Sequence, residues 1–401
     1  MLLKLVIFMY SVFVLLQAGH KEDALRYLNT IRQHTGLIEL RSNTVLEKAA
    51  KSHAKYLLFQ QQYGHYEKKG RKGYTGRTPS DRVLHAGYPA RDVMENVSVN
   101  AKNTRQSIDT LFAAIYHRFV FLNFDKNEIG IGSAYSKKKR RIVSTFVYLL
   151  GSSEVSKLCK ETFFLQNGLT YMNELCRDPA HLVPQYLYEE RCEMIRRKNS
   201  DLIVYPYPDA TGSPPVFYTE HPHPLPGSKV SGYPISVQFN PAYYNNIKLK
   251  KFRLFNAKGK EIKKRKILTY STDINQRFTP FQFAFMPLKR LDYDQTYQVE
   301  FEAMADEKRI QKRWEFRTKG FKQKLYRITK RNTTVNVKKG EKIVLFFEPR
   351  SNQDVLECIN YTDKLHITCH DQNTLLVTVP KNRYFSEYTL NAGGRSVTLK
   401  E

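Results

Sequence analysis

The chain has 401 residues, 41% of them apolar, and a formal net charge of +27 at pH 7. This length excludes a single compact domain and indicates about two to four domains. The charge favours an anionic partner, such as an anionic cell-envelope polymer or lipid, and we do not expect nucleic acid as a partner. Because the lysines are spread over the whole chain, a general lysine bias is the alternative interpretation of this charge.

The N-terminus has the pattern of a secretory signal peptide. Lys4 gives a short positive start, Leu5 to Leu16 form an almost unbroken apolar run, and Ala18 and Gly19 supply small residues for cleavage. The run is short for a membrane span, so it predicts a signal peptide over residues 1–18 and a secreted, periplasmic or cell-surface protein. Because Leu16 stands where a small residue is preferred, an uncleaved N-terminal anchor is the alternative.

Four helices are predicted in the first third of the chain. The first covers residues 22–34, and Thr44 begins the second with a capping box. The third begins at Thr78 and stops at Gly87. The fourth places His117 at its C-terminal end, after an apolar stripe made of Ile108, Leu111, Phe112 and Ile115.

An antiparallel hairpin follows these helices. Apolar residues alternate in Ile129 to Tyr135 and again in Ile142 to Tyr148, and the basic run Ser136 to Arg141 forms the turn between them. Helices followed by a short antiparallel sheet predict a layered α-β-α domain over residues 20–150, and therefore an α+β fold class.

The composition changes after residue 150. Residues 151–200 are predicted to be a connector with a helix from Pro184 to Lys198. A stretch rich in proline and tyrosine then begins at Tyr205, and period-two alternation dominates beyond it. We expect two antiparallel β-sandwich domains, one over residues 201–320 and a smaller one over residues 321–401.

The chain has five cysteines, and an exported protein favours disulfides. The midpoint between Cys358 and Cys369 falls in Tyr-Thr-Asp-Lys-Leu, a predicted hairpin turn, so these two cysteines are expected to lie opposite each other and to pair. Cys192 shares a helical stripe with Tyr188 and Ile195, which favours a buried free thiol over a reactive one. Pairing of Cys192 with another chain stays open.

Four short signatures stand out in the first third. His65 lies in Tyr-Gly-His-Tyr, Glu95 in Met-Glu-Asn-Val-Ser and His117 in Tyr-His-Arg, and the chain then reads Glu-Ile-Gly-Ile-Gly-Ser-Ala from Glu128 to Ala134. Two imidazoles and one carboxylate are the minimum set for a metal site or for acid–base chemistry. In their order and spacing, these signatures make about the first 150 residues resemble the CAP superfamily, also called SCP-like, whose members are secreted.

The resemblance implies a site. In the family, the residues that match His65, Glu95 and His117 converge at the floor of a solvent-open cleft. The two histidines would then bind Zn²⁺, and Glu95 would ligate the metal or act on its water. A disulfide between Cys159 and Cys176 is also implied by the family pattern. The structural alternative is that the three side chains hydrogen-bond one another and hold the helices to the sheet.

The chain also departs from the family pattern. The segment Leu111 to Ile115 lacks the second glutamate of eukaryotic members, and Met94 and Tyr116 replace glycines. Glu67 is a candidate substitute for the missing acid. His53 matches a histidine that bacterial members often carry, although a hydrogen-bonded structural role is favoured for it.

Three functions stay open. The favoured one is a binding protein without enzymatic activity, which takes a small hydrophobic, glycan or peptide ligand, or a metal, between walls of Tyr63, Tyr66 and Tyr116. Its β domains would position it at the cell surface, because Pro287 to Val299, followed by Trp-x-Phe-x-Thr, resembles bacterial immunoglobulin-like modules.

The second function is a zinc-assisted hydrolase of peptide or cell-wall bonds with Glu95 as its catalytic general base. The sequence contains no Gly-x-Ser-x-Gly, His-Glu-x-x-His, phosphate-loop or dinucleotide motif. The third is a polyanion-binding envelope protein driven by the net charge. The sequence does not determine the oligomeric state.

Overall fold

The structure is a computed structural model that describes residues 21–357, 359–362, 364–381 and 387–400. The signal peptide predicted over residues 1–18 lies outside this part of the chain. None of the helices in the described residues is both long enough and apolar enough to cross a membrane.

The helices of the described residues lie in the N-terminal half. They are α1 (residues 21–34), α2 (Thr44–Gln60), α3 (Pro79–Ala86), α4 (Thr104–Ala113), α5 (Ile115–Phe121), α6 (Ser153–Leu158) and α7 (Gln185–Arg196). The N-cap of α2 is Asn43, whose side chain accepts two backbone N–H groups, so Thr44 is not the cap that we predicted. The capping box predicted between Thr78 and Asp81 is present, and α3 ends at Gly87 with φ 106°.

The predicted fourth helix is two helices. Ala114 has an extended backbone with φ −85° and ψ 113°, so α4 ends before it and α5 begins after it. His117 therefore lies in the first turn of α5 instead of at the C-terminal end of one long helix.

The N-terminal unit contains one four-stranded sheet in the order β1-β3-β4-β2. Its strands are β1 (Arg41–Ser42), β2 (Met94–Val99), β3 (Glu128–Tyr135) and β4 (Ser144–Gly151). The predicted β3–β4 hairpin is confirmed, with Glu128 opposite Gly151 and Tyr135 opposite Ser144.

The glycines of β3 let α2 lie directly on this sheet. A Cβ atom on Gly130 would lie 2.1 Å from the Leu46 carbonyl carbon, and one on Gly132 would lie 2.2 Å from that of Ala50. Any larger residue would push the helix away from the strand. The Gly-Ile-Gly signature is therefore a packing requirement.

The connector contains α6, α7 and the strand pair β5 (Tyr171–Met172) and β6 (Val183–Pro184). The disulfide between Cys159 and Cys176 is confirmed, with an S–S distance of 2.02 Å. Cys192 is a buried free thiol, as predicted.

The second unit consists of two four-stranded sheets that share one core, and the first has the order β13-β14-β11-β7. Its strands are β7 (Leu202–Tyr205), β11 (Ile235–Phe239), β13 (Arg265–Leu268) and β14 (Gln282–Pro287). The second sheet, β12-β15-β16-β8, consists of β8 (Ala210–Ser213), β12 (Ile247–Asn256), β15 (Thr296–Ala305) and β16 (Lys308–Thr318). A small pair, β9 (Val216–Phe217) and β10 (Ser231–Gly232), lies beside them.

The third unit repeats this two-sheet plan around its own core. One sheet has the order β17-β19-β22-β21, with strands β17 (Lys324–Ile328), β19 (Lys342–Phe347), β21 (His366–Asp371) and β22 (Thr374–Thr378). The other has the order β18-β24-β23-β20, with strands β18 (Asn332–Asn336), β20 (Ile359–Tyr361), β23 (Glu387–Ala392) and β24 (Arg395–Lys400).

The expectation of antiparallel β-sandwiches is met by most strand pairs of these two units but not by all. β8 pairs parallel with β16, β17 with β19 and β18 with β24. No tight turn joins the two strands of any of these pairs, so no hairpin dictates their relative direction.

The hairpin predicted between Cys358 and Cys369 is also wrong. β20 pairs with β23 in one sheet, whereas β21 pairs with β22 in the other, so the chain crosses between sheets at this point. Cys369 is exposed on β21, and Cys358 lies outside the described residues. Their disulfide stays a prediction.

Helix α5 is the joint between the N-terminal unit and the second unit. Its apolar side shares a core with residues of the second unit, among them Phe217, Phe278 and Met286. Arg118 is fully buried and lies over the rings of Tyr205 and Tyr233, at 4.8 and 4.9 Å from their centroids. The second unit therefore determines where α5, and the histidine on it, can lie.

Candidate functional site

Four buried side chains form one polar network in the N-terminal unit. His53 comes from α2, Arg82 from α3, Glu95 from β2 and Glu67 from the loop after α2, and their side chains are at most 1% exposed. His53 Nδ1 lies 2.8 Å from Glu67 Oε1, and Arg82 Nη2 donates to both oxygens of Glu95 at 2.9 and 2.7 Å. The network ties two helices to the sheet.

The ring of His53 is held at both of its nitrogens. Nδ1 lies 2.8 Å from the Glu67 carboxylate, and Nε2 lies 3.1 Å from the Gly64 carbonyl oxygen. Burial by itself raises the pKa of Glu95, but the hydrogen bond from His65 and the charge of Arg82 outweigh it, so the pKa is lowered. The Arg82 guanidinium thus pairs with the Glu95 carboxylate, which is how buried charges are tolerated. This supports the structural role favoured for His53.

His65 lies above this network and is held by it. Its Nδ1 lies 3.0 Å from Glu95 Oε1, and its carbonyl oxygen accepts a hydrogen bond from Arg82 Nη1 at 2.9 Å. The His65 side chain is 36% exposed, in contrast to the buried groups below it. Arg82 thus positions both the imidazole and the carboxylate that orients it.

His117 is oriented by a second carboxylate that comes from the second unit. Its Nδ1 lies 3.0 Å from Oε2 of Glu220, which follows β9. Glu220 also accepts the backbone N–H groups of Ile115 at 2.7 Å and Tyr116 at 3.0 Å, so it caps α5. On the other side, Asn96 Nδ2 donates to the His117 carbonyl oxygen at 2.8 Å.

Glu220 was not identified from the sequence. The sequence showed that Leu111 to Ile115 lack the second glutamate of the family, and Glu67 was the candidate substitute. Glu67 instead accepts hydrogen bonds within the buried network, including the Thr75 backbone N–H at 2.7 Å. Glu220 lies in a proline-rich stretch more than one hundred residues from His117, and no local pattern connects the two.

The aromatic residues near the site have different roles. Tyr63 and Tyr66 are 65% and 60% exposed and flank His65 in sequence. Tyr116 instead binds to the second unit: its hydroxyl donates to Asp273 and accepts from Asn275 Nδ2 at 2.9 Å. Burial and the bond to Asp273 raise the pKa of Tyr116. Tyr116 is therefore part of the interface and not a free wall of the site.

We call His65 and His117 the imidazole pair. Their ring centroids are 6.4 Å apart with an interplanar angle of 25°. In each ring Nδ1 bonds a carboxylate, which places the proton on Nδ1 of the neutral ring and leaves Nε2 as the lone-pair nitrogen. Neither Nε2 atom has a protein hydrogen bond in the described residues.

The pair meets part of what Zn²⁺ requires. A histidine whose second nitrogen bonds a carboxylate is the usual zinc-binding arrangement, and both rings have it. However, no group of three or more His, Cys, Asp or Glu side chains in the described chain is arranged to hold a metal. The arrangement therefore offers two protein ligands, fewer than a structural zinc site has.

The geometry also opposes Glu95 as a general base. Glu95 Oε1 accepts hydrogen bonds from His65 and Arg82, and Oε2 accepts one from Arg82. Its side chain is 1% exposed and its pKa is lowered, whereas a general base needs access to the proton and a raised pKa. Glu95 is a positioning residue for His65 in this structure.

Residues 25–149 match the CAP, or cysteine-rich secretory protein, family, so this part of the chain is a CAP domain. No curated protein matches the chain.

Similar solved structures include an outer surface protein of Borrelia burgdorferi, with 19% sequence identity and a TM-score of 0.29. The alignment covers 33% of this chain and 92% of the Borrelia protein. An extracellular SCP-domain protein of Bacillus anthracis has 18% identity and a TM-score of 0.29, covering 34% and 41%. A titin tandem of immunoglobulin domains has 10% identity and a TM-score of 0.17, covering 42% and 86%.

Proposed function

We propose that this is an exported binding protein whose CAP domain holds its ligand at the imidazole pair. The observation that carries the proposal is the pairing of each Nδ1 with a buried carboxylate. This leaves the Nε2 lone pairs of His65 and His117 as the unsatisfied groups of the site. The carboxylates of the site are engaged by His65, His117 and other donors, so the two Nε2 atoms are the groups that remain to bind a ligand or a metal.

Zn²⁺ is the first ligand to test. His65 and His117 would hold it through Nε2, while Glu95 and Glu220 would keep both rings in the binding tautomer. A bound zinc ion supplies Lewis acidity and open coordination positions. With two protein ligands, these positions are available to a small hydrophobic, glycan or peptide ligand that contacts the exposed rings of Tyr63 and Tyr66.

The rest of the chain supports a role outside the cytoplasm. The pattern of residues 1–18 and the disulfide between Cys159 and Cys176 favour export. The second and third units would act as immunoglobulin-like spacers that hold the CAP domain at the cell surface. The second unit is also part of the site, because it supplies Glu220, which orients His117.

The test measures zinc content by elemental analysis and zinc affinity by calorimetry on the mature full chain. The test variant is His65→Ala/His117→Ala, and the matched control is His85→Ala/His366→Ala, which removes two exposed histidines elsewhere. We expect one zinc per chain in the wild type and in the control, and none in the test variant. Absence of zinc from the wild type, or zinc that survives His65→Ala/His117→Ala, would overturn zinc as the ligand.

A further inference from the structure

A cavity of about 770 Å³ lies between the second and third units. Its lining from the second unit includes Lys264 and Lys266 at the start of β13, and Lys289 in the loop after β14. Its lining from the third unit includes Phe346 of β19 and Arg350. We call this cavity the basic cleft. Its volume is in the range of ligand-binding pockets.

The lining contains seven cationic and two acidic side chains. Both acidic side chains form ion pairs with Arg327: it binds Asp292, and it also binds Glu348 at 3.0 Å. The remaining arginines also have partners: Arg265 pairs with Glu261, Arg290 with Asp371 and Arg350 with Asp354.

The three lysines of the cleft are different. Lys264, Lys266 and Lys289 have no ion pair with any described acidic residue. Lys264 lies at a bend directly before β13 and Lys266 is the second residue of that strand, and both line the cleft. Lys289 joins them from the neighbouring segment, where the Leu288 backbone N–H donates to the Lys264 carbonyl at 2.9 Å. The result is a cluster of unneutralised positive charge in a concave place.

Contacts between the second and third units fix the two sides of the cleft relative to each other. Arg290 of the second unit bonds Asp371 of the third at 2.7 Å, and the Tyr218 hydroxyl donates to the same carboxylate at 2.7 Å. The backbone N–H groups of Lys229 and Val230 donate to the Asn352 carbonyl at 2.7 and 3.0 Å. A ligand therefore meets a preformed site and does not need to order the lysine-bearing backbone.

Apolar side chains complete the lining, and of these Leu288 is 40% exposed whereas Leu225, Leu291 and Phe346 are buried. We propose that the basic cleft binds a segment of an anionic polysaccharide, with acidic groups on Lys264, Lys266 and Lys289 and a sugar face on Leu288. A polymer segment can enter a concave site between two units, whereas a flat bilayer surface cannot. This site is independent of the imidazole pair, which lies in the CAP domain.

The experiment measures binding of the full chain to a heparin-derived hexasaccharide, with a neutral dextran hexasaccharide as the uncharged probe. The test variant is Lys264→Gln/Lys266→Gln/Lys289→Gln. The control is Lys137→Gln/Lys138→Gln/Lys139→Gln, which removes the same charge from exposed lysines of the β3–β4 turn. Circular dichroism checks that both variants keep the wild-type fold.

We expect the wild type to bind the hexasaccharide with an affinity that falls as salt rises, and not to bind dextran. Loss of the three cleft lysines should weaken binding about ten- to hundredfold, and the control should change it less than about threefold. Equal losses in both variants would refute the cleft, because they would show a response to net charge alone. The proposal would also be refuted if the hexasaccharide did not bind while anionic phospholipid vesicles bound in a way that depended on the cleft lysines.

Discussion

Replacing Glu220 by glutamine tests whether the second unit sets the chemistry of His117. The carboxylate accepts three hydrogen bonds, from the backbone N–H groups of Ile115 and Tyr116 and from His117 Nδ1, at 2.7 to 3.0 Å. A glutamine has one acceptor oxygen and turns an NH₂ donor toward the remaining donors. At least one buried N–H group then loses its partner.

The cost can be worked from these contacts. An unsatisfied buried donor costs about 1–3 kcal/mol. Loss of a negative charge at the N-terminus of α5 adds about 0.3–1 kcal/mol. We expect Glu220→Gln to lower the free energy of unfolding by about 1–4 kcal/mol, measured by urea denaturation. Glu307→Gln, at an exposed glutamate, is the control and should change it by less than about 0.5 kcal/mol.

The same substitution should change the tautomer of His117. An amide NH₂ opposite Nδ1 favours a lone pair on Nδ1 and moves the proton to Nε2, so the metal-binding nitrogen is lost. Long-range ¹H–¹⁵N correlation NMR at pH 8.5 distinguishes the two tautomers. We also expect zinc affinity to fall about 10–100-fold. A variant that kept the Nδ1–H tautomer, the wild-type stability and the zinc affinity would refute the reasoning.

Three further predictions follow from the fold and the buried network. Gly132→Ala should destabilise the CAP domain by at least about 1–3 kcal/mol in urea denaturation, because its Cβ would lie 2.2 Å from the Ala50 carbonyl carbon; a smaller change would show that α2 can shift. Since the folded pKa of Glu95 lies below its usual 4.5, its stabilisation is present above pH 4.5 and is lost as the pH falls through the folded pKa. Glu95→Gln should therefore flatten the acid limb of a stability–pH curve, and an unchanged curve would contradict this. Replacing Cys159 and Cys176 by alanine removes a disulfide that joins positions 17 residues apart, and should lower the free energy of unfolding by about 3 kcal/mol. An unchanged midpoint of thermal unfolding would contradict this prediction.

Local sequence patterns predicted much of the CAP domain. The capping box at Thr78, the stop at Gly87 and the alternation that makes the β3–β4 hairpin each depend on residues a few positions apart. The approach of His65 to Glu95 was implied by the family resemblance and not by these local patterns. Such patterns act through backbone geometry and burial on one face, which neighbouring residues determine almost alone.

The errors share a physical cause. The break at Ala114 separates α4 from α5, and the acceptor for the first N–H groups of α5 is Glu220, more than one hundred positions away. The strand after Cys358 joins a different sheet from the strand of Cys369, because long-range pairing prevailed over the local turn signal. A short-range pattern contains no information about partners this distant.

The candidate site divides along the same line. Short sequence segments contain His65, Glu95, His117 and the glycines of β3. The order of these segments is enough to indicate the CAP fold and two imidazoles near one carboxylate. The second carboxylate, Glu220, meets His117 only after the second unit packs against α5. The bonds from Arg82 to Glu95, and the approach of Lys289 to Lys264 and Lys266, need the tertiary fold of a single unit. Buried charges need partners wherever the chain can bring them, and the three-dimensional packing of the units, not proximity in sequence, supplies those partners.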